Sequence, residues 1–321
     1  MQGTCGKVRG PALCNGSDSG IGSALRAFRR SAVSRAGLAR GMEQMALTRR
    51  DFLKSAAVAS ICGAVLPAAA RAVERAHAER PVFALPDLDP AHDGLRVAQL
   101  SDLHVGDRTR PDTIRDAIAR ANSFAPDLVV LTGDYLCRER SGIGLMRDLL
   151  GGLAAPTVAV LGNHDHWVDA RGAARALTAH GYAVLRNQNT TLTLRGAPFT
   201  VVGIDDLLTG HARPREALTG AARGSRLVLA HGPRTADQLK KLGQPLLCLS
   251  GHTHGGQINV PGLTQFMLRT IAHEPYARGL FRLGAVQLYV NRGVGNSALR
   301  IRFNSDPEVT LAVLRRAGQA S

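Results

Sequence analysis

The chain has no Cys-x-x-Cys pair, no apolar run of about twenty residues and few aromatic side chains, and each absence excludes something. Five cysteines occur, Cys5, Cys14, Cys62, Cys137 and Cys248. Only the last two fall where the chain is patterned like a folded domain. Their spacing makes neither a zinc finger nor a dithiol redox motif. Two buried free thiols and a single Cys137–Cys248 disulfide are both compatible with the sequence. The mildly apolar stretch from Ser55 to Ala70 is shorter than the roughly 20 residues a membrane-crossing helix needs. Aromatics make up 4% of the 321 residues. No dense Lys/Arg run is interleaved with them, so no dedicated nucleic-acid surface is expected. Residues 95–321 contain no internal repeat or low-complexity segment and read as one domain.

Basic charge is abundant but uneven. The formal net charge is +15. Residues 1–72 hold 11 Lys/Arg against Asp18, Glu43 and Asp51, a net of +8, which leaves 15 − 8 = +7 for the remainder. A body of that charge favours anionic substrates or anionic membrane surfaces. The concentrated part sits around Thr48-Arg49-Arg50-Asp51-Phe52-Leu53-Lys54, which resembles the twin-arginine export signal. The Ser55–Ala70 run then stands for the apolar region of a signal peptide, interrupted by Pro67. Ala68-Ala69-Ala70 and Ala70-Arg71-Ala72 offer small-x-small cleavage sites. The resemblance implies passage through the twin-arginine translocase to the periplasm or the outer face of the cytoplasmic membrane. Residues 1–41 precede this signal and are expected to be a mis-assigned or disordered extension, with the true start at Met42 or Met45. Residues 42–72 are expected to form the signal, 73–94 a polar connector, and 95–315 the folded domain.

From Leu95 the pattern is that of an α/β fold. Leu95–Leu100, Leu128–Leu131, Thr157–Leu161, Leu227–Ala230 and Leu246–Ser250 are short apolar runs of the buried-strand type. Helices are expected over 111–123, 142–152 and about 169–180, with further strands near 182–185, 190–194, 199–204, 286–290 and 308–314. Each of the five apolar strands ends in polar, ligand-type residues: Ser101-Asp102-Leu103-His104, Gly133-Asp134, Gly162-Asn163-His164-Asp165, His231, and Gly251-His252-Thr253-His254. Open α/β sheets place their sites at that edge. On an extended strand end, residues two apart share a face, which would pair Asp102 with His104 and His252 with His254. Seven O and N donors without a thiolate suit Mn, Fe or Zn. One ion takes about four to six of them, so seven donors with one bridging carboxylate suit two ions that clamp a phosphoryl group.

In order and spacing this series resembles the calcineurin-like metallophosphoesterase family. The further run Gly255-Gly256-Gln257-Ile258, with Asn291-Arg292-Gly293-Val294-Gly295 and Ile301-Arg302-Phe303, is similar to a bacterial branch with exported phosphodiesterases and UDP-2,3-diacylglucosamine pyrophosphatase-type enzymes. The resemblance implies a four-layer α/β/β/α sandwich of two mixed sheets. It implies that Asp102, His104 and His254 hold one metal, that Asn163, His231 and His252 hold the other, and that Asp134 bridges them. A bridging hydroxide would attack phosphorus in line. His164 would not bind metal but would stabilise the transition state or protonate the leaving oxygen, and Asp165 would orient His164 or its loop. Two departures from relatives are Tyr135-Leu136-Cys137, where many carry a further Asp, and Gly232-Pro233 after His231. Arg292 and Gln257 are candidate substrate contacts, with Arg292 alternatively paired to a surface acid. His166 either contacts substrate or caps the Trp167 turn, and His92 and His273 are expected at the surface. The segment from Gly262 to Ile271 mixes apolar and basic residues, as in a lip meeting lipid or a loop packed on the domain. The expected function is hydrolysis of a phosphodiester or pyrophosphate in a phosphorylated small-molecule or lipid substrate of the cell envelope. The alternatives are a nucleic-acid or nucleotide phosphodiesterase and a metal-binding module without turnover.

Overall fold

The computed structural model describes residues 75–297 and 299–318. Residues 1–72, where an extension and a twin-arginine signal are expected, lie outside the described residues. Strands β1 (His77–Glu79), β2 (Val82–Leu85) and β3 (Leu95–Leu100) are followed by α1 (Pro111–Ser123), β4 (Leu128–Leu131), α2 (Gly142–Leu150), β5 (Thr157–Ala159), α3 (Asn163–Val168), α4 (Ala170–Thr178) and β6 (Ala183–Val184). A second group comprises β7 (Gln188–Leu194), β8 (Ala197–Ile204), α5 (Pro214–Ala217), β9 (Arg226–Ala230), α6 (Thr235–Lys240), β10 (Leu246–Ser250), α7 (Leu263–Thr270), β11 (Gly279–Leu283) and β12 (Val286–Val290), and β13 (Glu308–Arg316) returns to the first.

The strands form two mixed sheets. One runs β1-β13-β3-β4-β5-β6, with β2 also on β13; the other runs β11-β12-β10-β9-β8-β7. Parallel pairing joins β3 to β4, β4 to β5, β8 to β9 and β9 to β10, whereas β13 is antiparallel to β3. The period-2 geometry of a strand explains why these sequences are apolar on both faces. Along β4, Leu128 and Val130 pack between the two sheets, and Val129 and Leu131 pack outward. The outward face meets Ile114 and Ala117 of α1, Met146 and Leu150 of α2, and Ala173 and Leu177 of α4. The second sheet covers its outer face with Ala217 of α5 and with Ala236 and Leu239 of α6. Three apolar layers between four structural layers give the α/β/β/α sandwich.

The segment expected to be a connector is instead part of the first sheet. β1 pairs with residues Glu308–Thr310 of β13 and β2 with Val313–Arg316. Phe83 and Leu85 enter the core between the sheets. His92, expected at the surface, is fully buried. Its Nδ1 lies 2.7 Å from Ser225 Oγ, its Nε2 lies 3.0 Å from the Leu194 carbonyl, and its ring packs edge-on to Phe199. Cys137 and Cys248 are buried free thiols.

Candidate metal centre

Polar contacts at the strand ends hold the two sheets in register. Gln99, buried near the end of β3, donates from Nε2 to the Ser250 carbonyl that ends β10 and to Thr132 Oγ1, both at 3.0 Å. The loops after β3 and β10 therefore leave side by side. Beyond the strands the backbone is not extended. Asp102, His104, Asp134, His252 and His254 all adopt positive φ, between 44° and 74°. The left-handed region costs an L-residue of order 1–2 kcal/mol, and Asp and His tolerate it better than branched residues. The expectation that His252 and His254 share a face by strand alternation is corrected, since they diverge through left-handed turns to different partners, whereas Asp102 and His104 converge on one group with Oδ1 and Nε2 3.9 Å apart.

Three groups of donor atoms result, each within 4.8 Å of one another: Asp102, His104 and His254; His104, Asp134 and His164; and Asp134, His231 and His252. His254 Nε2 is 3.4 Å from Asp102 Oδ1 and 3.0 Å from His104 Nε2. His231 Nε2 is 3.2 Å from Asp134 Oδ2, 3.1 Å from Asn163 Oδ1 and 3.3 Å from His252 Nδ1. Asp134 Oδ2 also lies 3.6 Å from His104 Nε2, so this one oxygen faces both groups. All seven donors expected from the sequence meet in one buried place, and Asp134 lies between two triads.

The surroundings orient each donor. His231 Nδ1 donates to the Thr132 carbonyl at 2.8 Å, which leaves Nε2 directed at Asp134 and Asn163. Asp102 accepts from Ser101 Oγ and from the His252 amide. Asp134 Oδ1 accepts from the His164 amide at 2.9 Å. His164 Nδ1 donates to the Cys137 carbonyl at 2.8 Å, so Nε2 is its free nitrogen.

The donors fit divalent cations. Burial alone would lower the His231 pKa, yet the Asp134 and Asp102 carboxylates raise it to about 10. Burial would raise Asp134, but the imidazoles of His231 and His104 hold it well below the carboxylate range. The pocket therefore favours positive charge. Burial drives His104 down to about 3 and His254 well below its usual range. His104 Nε2 and His254 Nε2 face each other at 3.0 Å beside Asp102, close enough for one cation to engage all three residues.

The family model for calcineurin-like phosphoesterases matches residues 95–256. The chain belongs to the calcineurin-like phosphoesterase family. It is 33% identical over 233 residues to the metallophosphoesterase YkuE of Bacillus subtilis (strain 168), covering 70% of this chain and 80% of the relative. It is 36% identical to the phosphodiesterase YaeI of Escherichia coli (strain K12), covering 68% and 82%. It is 30% identical to the UDP-2,3-diacylglucosamine pyrophosphatase LpxG of Chlamydia muridarum, covering 68% and 83%. Calcineurin-like phosphoesterases are metal-dependent phosphoric ester hydrolases, and the donor set described above suits that chemistry.

For Arg292 and Asp165 the structure selects between the alternatives left open by the sequence. Arg292 pairs through Nη2 with Glu79 at 2.7 Å and through Nε with the buried Glu308 at 3.0 Å. Gln257 donates its amide to the carbonyls of Leu299 and Ile301. Each therefore ties chain segments together instead of lying open to a ligand. The His166 ring does not turn back to the Trp167 turn; its Nε2 lies 2.7 Å from Asp205 Oδ1. Asp165 serves the loops and not the His164 ring. Its two oxygens accept from the amides of Asp134, Tyr135, Leu136 and Gly162 at 2.9–3.1 Å, clamping the turn after β4 to the start of α3. Asp205 and Asp206 were not singled out by the sequence reasoning. Both are buried just beyond β8, and Asp206 exerts its charge on His231 and His252. Gly203-Ile204-Asp205-Asp206 is a further buried strand ending in acids, and that pattern was the available signal.

Proposed function

We propose that this phosphoesterase hydrolyses a phosphodiester or pyrophosphate bond in a lipid-linked or other cell-envelope substrate, using two divalent ions of the Mn, Fe or Zn type. The observation that carries this reading is the pair of donor triads sharing Asp134 Oδ2, with the free nitrogen of His164 at their side. Asp102, His104 and His254 would hold one ion, Asn163, His231 and His252 the other, and Asp134 would serve both; ions held there would neutralise phosphoryl charge and lower the pKa of water at the site. His164, oriented by the Cys137 carbonyl, would present Nε2 to the leaving oxygen and, in its imidazolium form, give it a proton as the ester bond breaks.

Lipid-linked or envelope material is favoured by three features. Two relatives bear the names of a phosphodiesterase and a UDP-2,3-diacylglucosamine pyrophosphatase. α7 buries none of its residues and exposes Leu263 and Phe266, with Ile271 beyond its end, alongside Arg269. Such a basic, apolar lip suits peripheral contact with an anionic membrane. The Arg49-Arg50 motif favours export by the twin-arginine translocase. The Mn-loaded chain should cleave bis(p-nitrophenyl) phosphate, and EDTA should abolish this until Mn is restored. His164→Ala should lower kcat roughly 100-fold or more with metal content unchanged. A metal-loaded chain that cleaves neither a diester nor a pyrophosphate overturns the reading. Phe266→Asp should weaken co-sedimentation with phosphatidylglycerol vesicles; an unchanged partition removes the membrane contact.

A further inference from the structure

A second group of charged side chains lies beside α3, outside the donor set. His166 follows His164 by two residues and faces the buried Asp205, whose other oxygen accepts from Arg186 Nε at 2.9 Å. Burial would raise the Asp205 carboxyl, but these two partners bring it to about 2, so the anion is kept and holds both in place. The His211 ring stacks on His166 with centroids 4.3 Å apart and planes 17° from parallel. Arg186, His211 and Arg213 line a cleft of about 360 Å³ together with Asn187, Asp205 and Glu216. Asp205 takes only the Nε of Arg186, and the Gly210 and Ala212 carbonyls take only the Nη1 of Arg213. The cleft adjoins the metal centre through Asp205, which leaves β8 beside His231 leaving β9, because Ile204 and Ala230 are paired at the ends of those two strands. Trp167, 61% exposed, follows His166 on α3 and has its ring 5.0 Å from that of His164.

We propose that this cleft is a subsite for a second phosphate-type anion of the substrate, on the leaving-group side of the scissile bond. The inference rests on the proposed hydrolytic function, because His164 marks the leaving-group side. It narrows the substrate to one with two anionic groups, a pyrophosphate or a diester with an acidic head group. Guanidinium groups suit this task because their planar forks match phosphate oxygens. Asp205 does not oppose such an anion, since His166 and Arg186 already compensate it. The indole of Trp167 offers an apolar face to the atoms joining the two anions.

The test is calorimetry on the full chain in excess Mn, with α,ω-alkyl bisphosphonates of increasing chain length against alkylphosphonates of equal length. At one length the bisphosphonate should bind about tenfold tighter than the monophosphonate. The Arg186→Gln/Arg213→Gln double variant should bring that ratio towards one. Arg213→Gln alone breaks no buried ion pair, should lower the ratio in the same direction, and covers the case in which loss of Arg186 unfolds the chain. A ratio of one at every length, or a ratio unchanged in the variants, overturns the subsite. So do two independent monophosphonates per chain with no optimal bisphosphonate length. Because the readout is binding, a chain that shows the length optimum but does not hydrolyse bis(p-nitrophenyl) phosphate refutes the hydrolytic reading and leaves the anion site standing.

Discussion

The two sheets contribute unlike chemistry to one centre. The first sheet delivers Asp102, His104, Asp134 and Asn163, so both carboxylates and the amide oxygen come from the loops after β3, β4 and β5. The second delivers His231, His252 and His254, imidazoles only. The first set is fastened by Asp165, which ties two of its loops together through four backbone amides. The second has His231 fastened to the Thr132 carbonyl of the first sheet. Charge and rigidity thus reside on one side, and neutral donors that complete the coordination on the other. Loss of a donor should therefore cost more on the first side than on the second.

The largest expected effect tests that asymmetry directly. Asp134→Asn should lower kcat/KM on the order of 10³-fold and deplete bound metal, since the bridging charge is removed. His252→Asn should lower it on the order of 10- to 100-fold and deplete one metal preferentially. Equal losses, measured by kinetics and metal analysis together, would break the comparison. Next in size are two glycines that differ only in the carboxylate they abut. A Cβ at Gly162 would overlap Asp134 Oδ1, and one at Gly251 would overlap Asp102 Oδ2 and Ser101 Oγ. Gly162 has an ordinary φ of −109°, so space and not backbone strain forbids a side chain there. Alanine at either position should displace its carboxylate and cost roughly 100-fold in kcat. The Gly162→Ala protein should lose metal from both triads and Gly251→Ala mainly from the triad of Asp102.

The smallest effect concerns an acid on the rim of the second sheet. Glu274 follows α7, is buried, and its pKa rises to about 7, chiefly through burial, with the nearby Asp237 adding to it. The folded state holds this proton more tightly than the unfolded chain does. Its contribution to stability is therefore greatest below about pH 4.5 and is lost as the pH rises to about 7. Glu274→Gln should remove that loss. The stability advantage of the variant should grow between these limits and level off above them at about 3 kcal/mol, read as a rising Tm difference. A pH-independent difference would show that the Glu274 carboxylate is not constrained.

Much of this architecture was legible along the chain. The five buried strands and the helices at 111–123 and 142–152 announce themselves by local periodicity, because burial on both faces or on one stripe leaves a regular trace. The donor residues were legible because each follows such a strand. What misled was local reasoning carried past the strand ends. Alternation predicted that His252 and His254 share a face, whereas positive φ at both residues sends them to different partners. β1 and β2 lie in a segment expected to be a connector because they are short and set among Pro81, Pro86 and Pro90, and their pairing depends on β13 at the far end of the chain. His92, Arg292 and Gln257 found partners that no local pattern indicates.

By itself the sequence determined which donor types are present, their order along the chain, and the strand ends that carry them, since these follow from composition and short-range periodicity. Only the tertiary structure decided how the donors divide. Hydrogen bonds from Gln99 and Asp165, and the left-handed turns beyond each strand, bring residues far apart in the chain to within about 4 Å of each other. Coordination depends on those distances, and no single stretch of sequence specifies them.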